Sequence, residues 1–250
     1  MSYLIFGSSS GLGKEIAYIL AKNLNNIIIV SRDERDLKAI KSDLESKFKI
    51  DVKYFVLDAS SFEKTKTFLE TNKNLFNEIQ GVLFPIGMME QKDEILNDIS
   101  TSNNLIQANM GVVAYSLSKI FPVFLEKNSG VIVGFGSISG SIGREINSIY
   151  AASKRGLESL FESLFISTIN TKIKVQFYNI GYLDTNLSYG KKLLLPKGST
   201  KKLAKVVYMN LNKSFKKTYY PIWWSLIVAV IRLLPFALVR FFYKFMKNKI

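Results

Sequence analysis

The first thirteen residues narrow the architecture more than any other stretch. Ser2-Tyr-Leu-Ile-Phe6 is a short apolar strand, and Gly7-Ser8-Ser9-Ser10-Gly11-Leu12-Gly13 follows at once, opening a helix through about Asn23. Glycines at this spacing permit a tight turn, and the backbone N–H groups at the helix start can face a pyrophosphate. Such a turn is weak evidence alone and strong between a first strand and a first helix. Ile27-Ile-Ile-Val30 is apolar without alternation, as a parallel strand covered on both faces is. Strand patterns recur at 52–56, 81–84, 131–133, 172–178 and around 218–221. Helical patterns separate them at 34–48, 61–73, 102–127, from Tyr150 to about Asn170, and at 199–212. The alternation predicts an α/β fold: a doubly wound, parallel, seven-stranded sheet with helices on both faces and right-handed crossovers. One domain of residues 1–221 with a large core accounts for it. Residues 2–6 read as a core strand with no charged leader before them, so no signal peptide is expected.

The chemistry centres on residues 134–154. A β-rich run, Val131-Ile-Val133, delivers Ser137 to the end of a strand, and Tyr150-Ala-Ala-Ser-Lys154 follows a ten-residue loop. Tyr150 and Lys154 are four apart in a helical pattern and share a face. A phenol titrates near pH ~10 in water. An ammonium one turn away favours the phenolate and brings the group toward the working range of an acid–base catalyst. Ser137 can hold a substrate carbonyl or alcohol oxygen against it. The chain has no cysteine and no histidine. That excludes disulfides, thiolate sites and Ser-His-Asp catalysis, and speaks against a zinc enzyme; no metal site is expected. Acid–base work is left to Tyr, Lys, Asp or Glu.

The Ser137, Tyr150, Lys154 spacing together with the GxxxGxG turn resembles the short-chain dehydrogenase/reductases, over about residues 2–221. The resemblance implies a Rossmann-like fold and an oxidoreductase that interconverts a ketone and a secondary alcohol. Ser137, Tyr150 and Lys154 would be catalytic, with Asn109 kinking its helix and holding a water that links the lysine to solvent. Gly7, Ser9, Ser10, Gly11, Leu12 and Gly13 would cradle the dinucleotide. Asp58 would cap the adenine pocket, while Gly87, Gly181 and Thr185 complete the site beside Tyr150 and Lys154. At the end of the second strand, Ser31 occupies the carboxylate position of NAD-specific members and Arg32 the cation position. NADP(H) is therefore favoured over NAD(H). Asp33 reads as the cap of the next helix. The chain departs from the family pattern at Phe6, where a threonine is usual. It departs again at Pro85-Ile86, where asparagines tie the central strands, and at Ile180, where a proline is usual. Residues 186–198 stand where the family has a substrate lid.

The charge is concentrated at one end. Of 34 Lys and Arg, 14 follow residue 190, and none of the 20 Asp and Glu does. The net +14 thus belongs to the last sixty residues and marks that end as facing something anionic, not a uniformly basic nucleic-acid binder. Residues 222–250 form an appendage not needed for the sheet. Its uninterrupted apolar stretches, 222–231 and 233–239, fall short of the twenty or so residues of a span. On one helical wheel Arg232, Arg240, Lys244 and Lys247 share about a third of the circumference, with Pro235 breaking or bending the helix. With Trp223 and Trp224 at its start, this is the pattern of a helix lying in a membrane interface. The alternative keeps the apolar face in a dimer contact or over the active site. The expected partners are a small-molecule or lipid-linked substrate, an anionic membrane surface through 191–250 and further copies of the chain, with no nucleic acid. The expected location is cytoplasmic, peripheral to the membrane's cytoplasmic face.

Overall fold

The computed structural model describes residues 1–90, 98–185 and 195–247. Seven strands form one sheet: β1 (Ser2–Phe6), β2 (Asn26–Ser31), β3 (Val52–Val56), β4 (Ile79–Phe84), β5 (Gly130–Ser137), β6 (Ile173–Ile180) and β7 (Phe215–Tyr220). Their order is β3-β2-β1-β4-β5-β6-β7 and every pairing is parallel. The expected doubly wound sheet is therefore what the chain folds into. Between β1 and β4 the winding reverses, which opens a crevice at the carboxyl ends of the strands.

Helices α1 (Gly11–Lys22), α2 (Glu34–Phe48) and α8 (Thr200–Asn210) cover one face. The other face carries α3 (Phe62–Thr71), α4 (Leu75–Glu78), α6 (Val112–Glu126) and α7 (Ser148–Ser167), with α5 (Ile99–Ile106) leading into α6. Ile27 to Val30 are each at most 1 % exposed, as their unalternating pattern requires. Asp33, Ser61 and Ser199 accept hydrogen bonds from the first-turn N–H groups of α2, α3 and α8 and so set where those helices begin. Strand β7 starts three residues earlier than its apolar pattern suggests. It is an edge strand, half-buried from Lys216 onward, where Lys217 is accommodated by pairing with Glu158 and Glu162 of α7.

The chain ends in α9 (Trp224–Leu233) and α10 (Phe236–Lys247), separated at Leu234-Pro235. Helix α9 buries Trp224 and Val228, and the Arg232 side chain at its end is 36 % exposed. The Arg232 Nη2 donates to Glu158 Oε2 of α7 at 2.6 Å. Glu158, only 4 % exposed, also accepts from Asn179 Nδ2 at 3.0 Å and pairs with Lys217 Nζ at 3.1 Å. The single basic stripe expected from one wheel is thus divided. Arg232, itself partly exposed, pairs with Glu158, whereas Arg240 and Lys244 are exposed and form no ion pair with an acid among the described residues; the Lys247 side chain lies outside the described residues. Leu226, Val230, Leu233, Phe236, Leu238 and Phe241 leave an apolar face exposed.

Burial pushes the Glu158 carboxyl up, and Arg232 and Lys217 outweigh it and hold it below the usual carboxylate range. Such a group stabilises the fold above its unfolded pKa of about 4.3, and the contribution is lost as pH falls through the depressed folded value. Arg232→Leu is expected to cost on the order of 2 kcal/mol at pH 7 by leaving Glu158 half-compensated. Denaturant midpoints should show that deficit at pH 7 and a smaller one below about pH 4.

Candidate active site

The turn after β1 is built so that backbone, not side chain, meets a ligand. Gly7 and Gly11 have φ of +75° and +51°, a region that favours glycine. A Cβ on Gly13 would lie 2.0 Å from the Gly7 carbonyl oxygen, so the turn closes on itself only with glycine there. Ser10 stands at the N-cap of α1 and makes no side-chain capping bond. The first N–H groups of the helix are therefore left to the cleft, which suits a diphosphate. Phe6, in place of the usual threonine, is fully buried and stacks on Phe84 at 5.1 Å.

At the end of β2 the Ser31 hydroxyl donates to Ser9 Oγ at 2.8 Å. Asp33 accepts from Asp36 N at 3.0 Å, so its carboxylate caps α2 as expected. Arg32 is exposed and shares a cavity with Asp58 and Lys64. Hydrogen bonds from Ser60 hold the Asp58 carboxyl below its ordinary range.

The catalytic candidates meet at the carboxyl ends of β4 and β5. Ser137 is the last residue of β5 and is 9 % exposed. Its side chain accepts from Ser139 N at 3.2 Å and hydrogen-bonds the Tyr150 hydroxyl. Asn147, with φ of +59°, starts α7 in the left-handed conformation that asparagine tolerates, and Tyr150 falls in the first turn. One turn on, Lys154 is 4 % exposed, and its Nζ lies 6.0 Å from the Tyr150 ring centroid. The ammonium donates to Ile86 O at 3.1 Å and Phe135 O at 3.2 Å. It thereby bridges the loop after β4 to β5, the tie expected to be missing where Pro85-Ile86 replaces asparagines.

Burial dominates the electrostatics of the pair. It depresses Lys154 to about 8. It also raises the Tyr150 phenol above its ordinary value, opposed by the Ser137 hydrogen bond and the charge of Arg144. The Lys154 ammonium stands over the Tyr150 ring, and Ser137 and Arg144 add to what opposes the effect of burial on the phenol.

Asn109 sits in a π-turn, Gln107–Gly111, that interrupts the run from α5 to α6. The expected distortion is present, and the side chain is clamped on the backbone of Met88: its Nδ2 donates to Met88 O at 2.8 Å, and Met88 N donates to its Oδ1 at 2.9 Å. A Cβ on Gly87 would fall 3.5 Å from both Asn109 Oδ1 and Lys154 Nζ, so the three are immediate neighbours.

One cleft of about 880 Å³ is lined by Gly7, Ser9, Ser10, Gly11, Leu12, Ser31, Arg32, Asp58, Gly87, Ser137, Tyr150, Lys154, Gly181 and Thr185. Among the residues expected from the sequence, Gly13 and Asn109 stand behind that wall and support it. Thr185 places its methyl against Gly11, 3.4 Å from where a Cβ would be, at the phosphate end of the cleft. Of the lid stretch, residues 186–194 lie outside the described residues. Four participants were missed: Arg144, Asn147, the carbonyls that seat Lys154, and Trp224. The Trp224 indole nitrogen would lie 2.0 Å from a Cβ on Gly181, so α9 backs the wall at that point. Arg144 had a signal, being the cation in the loop between Ser137 and Tyr150. The glycine cradle, with the Arg32 cation beyond β2 beside an Asp33 that caps α2, fits a dinucleotide.

The short chain dehydrogenase model matches residues 2–192. An NADP-dependent 3-hydroxy acid dehydrogenase of Schizosaccharomyces pombe is 29 % identical over 188 residues, 74 % of this chain and 72 % of that protein. A very-long-chain 3-oxoacyl-CoA reductase of Bos taurus is 27 % identical over 240 residues, 93 % of this chain and 75 % of that one. A short-chain dehydrogenase from Sphingobium yanoikuyae, solved in complex with NADPH, shares the fold with a TM-score of 0.80 at 21 % identity, over 94 % of this chain and 96 % of that one. The family match runs through the glycine turn, Asn109 and the Ser137–Tyr150–Lys154 set alike, and the chain belongs to the short-chain dehydrogenase family of oxidoreductases.

Proposed function

We propose that the protein is an NADP(H)-dependent oxidoreductase that interconverts a ketone and a secondary alcohol by hydride transfer, on a lipophilic or lipid-linked substrate at a membrane surface. The observation that carries the chemistry is the hydrogen bond between the Ser137 and Tyr150 hydroxyls one helical turn from the buried Lys154 ammonium, in the same cleft as the glycine cradle. The bound dinucleotide supplies or accepts the hydride. The turn Gly7–Gly13 holds its diphosphate on backbone N–H groups, Arg32 meets the 2′-phosphate, and Lys154 anchors the nicotinamide ribose. Ser137 holds the substrate oxygen. Tyr150 donates the proton to that oxygen in reduction and takes it back in oxidation. Lys154 keeps a positive charge beside the phenol and, with Asn109 behind it, leads toward proton resupply. NADP(H) is supported by Ser31 and Arg32 at the end of β2 and by the NADP dependence for which the Schizosaccharomyces pombe relative is named.

The membrane part of the reading is supported by the exposed Leu226, Val230, Leu233, Phe236 and Phe241 beside the exposed Arg240 and Lys244. Relatives named for very-long-chain acyl substrates agree with it. On this reading the protein sits peripherally on the cytoplasmic face, and the same apolar face serves association between copies. A second reading, a soluble ketone reductase whose tail completes the domain, is favoured by the docking of α9 through Arg232 and Glu158.

Tyr150→Phe is expected to reduce ketone turnover at least 10³-fold with the Kd for NADPH changed less than about threefold, read by stopped-flow absorbance and fluorescence titration; turnover near wild type removes the mechanism. A proton-linked loss is expected on the alkaline side. Lys154 is charged below about pH 8 and neutral above it, so kcat/KM should fall as pH rises through about 8. A fall only at about pH 10, where an ordinary lysine and an ordinary phenol both titrate, would mean that burial does not depress Lys154 in the working enzyme. Flotation with anionic vesicles should carry the wild-type protein and lose it on Leu233→Glu/Phe236→Glu, which leave Arg232 and Trp224 in place; a wild-type protein that does not float favours the soluble reading, and equal flotation of both means that this apolar face is not what binds.

A further inference from the structure

Arg144 lies on the cleft wall between the two catalytic hydroxyls in the chain. Its Nη1 donates to Ser139 Oγ at 2.8 Å, and the Ser139 N–H donates to Ser137 Oγ at 3.2 Å. Two hydrogen bonds therefore connect the guanidinium to the hydroxyl that holds the reacting oxygen. A guanidinium presents five N–H donors in a planar fork, and Ser139 takes one. Among the described residues no carboxylate forms an ion pair with Arg144. The nearby cleft carboxylate of Asp184 is committed to Thr200 N, which donates to it at 2.6 Å.

The other cations of the cleft already have employment. Lys14 and Arg32 stand at its glycine-turn end, and the Lys154 ammonium is seated on two backbone carbonyls. Among the described residues, Arg144 is the cation that lines the cleft in the loop between Ser137 and Tyr150. A half-buried guanidinium with spare donors in a cleft is the chemistry that recognises an oxyanion, by charge-assisted and paired hydrogen bonds.

We infer that Arg144 is a substrate-anion site: the ketone carries a carboxylate or phosphate close to its carbonyl, and the Arg144 fork binds that group while Ser137 and Tyr150 engage the carbonyl oxygen. This rests on the reductase reading and narrows it to anionic ketones.

The test compares matched anionic and neutral ketones with NADPH, in wild type, Arg144→Leu and Arg144→Lys. The pairs are 3-oxooctanoate with its methyl ester, and dihydroxyacetone phosphate with dihydroxyacetone; they separate carboxylate from phosphate. Wild type should prefer the anionic member of one pair by roughly 10- to 100-fold in kcat/KM, mostly through KM. Arg144→Leu should abolish the ratio and Arg144→Lys keep part of it. The ratio cancels any effect on Tyr150 common to both substrates. A ratio unchanged by Arg144→Leu, or no anionic preference in either pair, overturns the inference while leaving the reductase intact. Binding is read in parallel as the thermal shift of each protein with NADPH and ligand. If no ketone is turned over, the reductase reading fails, and the site is then judged by the shift alone: an anion-dependent shift lost in Arg144→Leu supports it, and an equal shift in both proteins overturns it.

Discussion

The rest of the site depends on one lysine ammonium held out of water. Lys154 is nearly fully buried, and burying a cation is costly unless donors find partners. Here they find Ile86 O and Phe135 O, carbonyls from two neighbouring segments at the switch point of the sheet. The same bonds that satisfy the charge fix the loop after β4 against β5, and with it Gly87, Met88 and the Asn109 clamp. The cost is visible as a lysine depressed to about 8, still largely charged at neutral pH. Fold and chemistry are therefore joined at one atom: the nitrogen that ties the strand ends is the nitrogen that sits beside the phenol.

The account of the phenol changes with this arrangement. Proximity along one helix face suggests that the lysine acidifies Tyr150. In the folded protein burial raises the phenol, and the groups that oppose it are Ser137 and Arg144, reached through the loop and not along the helix. A raised phenol stays protonated at neutral pH, and the Ser137 hydrogen bond and the Arg144 charge work against that rise.

Much of the fold was legible because its signals are local. Ile27–Val30 announces a strand covered on both faces, Asp33 announces a cap, and Ser137, Tyr150 and Lys154 fall within eighteen residues of chain. The glycine turn is equally local, since Gly13 must meet Gly7 only six positions away. What stayed hidden depends on distant segments. Arg232 and Glu158 are 74 residues apart, so a helical wheel drawn on the tail alone assigned Arg232 to the outer stripe, whereas a buried carboxylate on α7 pairs with it. Trp224 against Gly181 is hidden for the same reason. Asn109 was legible as a kink, but its Met88 partner is chosen by how the loop after β4 lies, which no periodicity encodes. The tail is consequently two things at once: α9 is a wall of the catalytic domain, and its outer face with α10 is an apolar, basic surface.

The most direct test of the central claim follows the hydride itself. NADPH carrying deuterium at both C4 positions is incubated with the protein and a ketone, and the alcohol is examined by mass spectrometry and NMR. The account predicts one deuterium, located on the carbinol carbon, with formation of an equal amount of NADP⁺. Alcohol without deuterium, or NADP⁺ formed without alcohol, would contradict it.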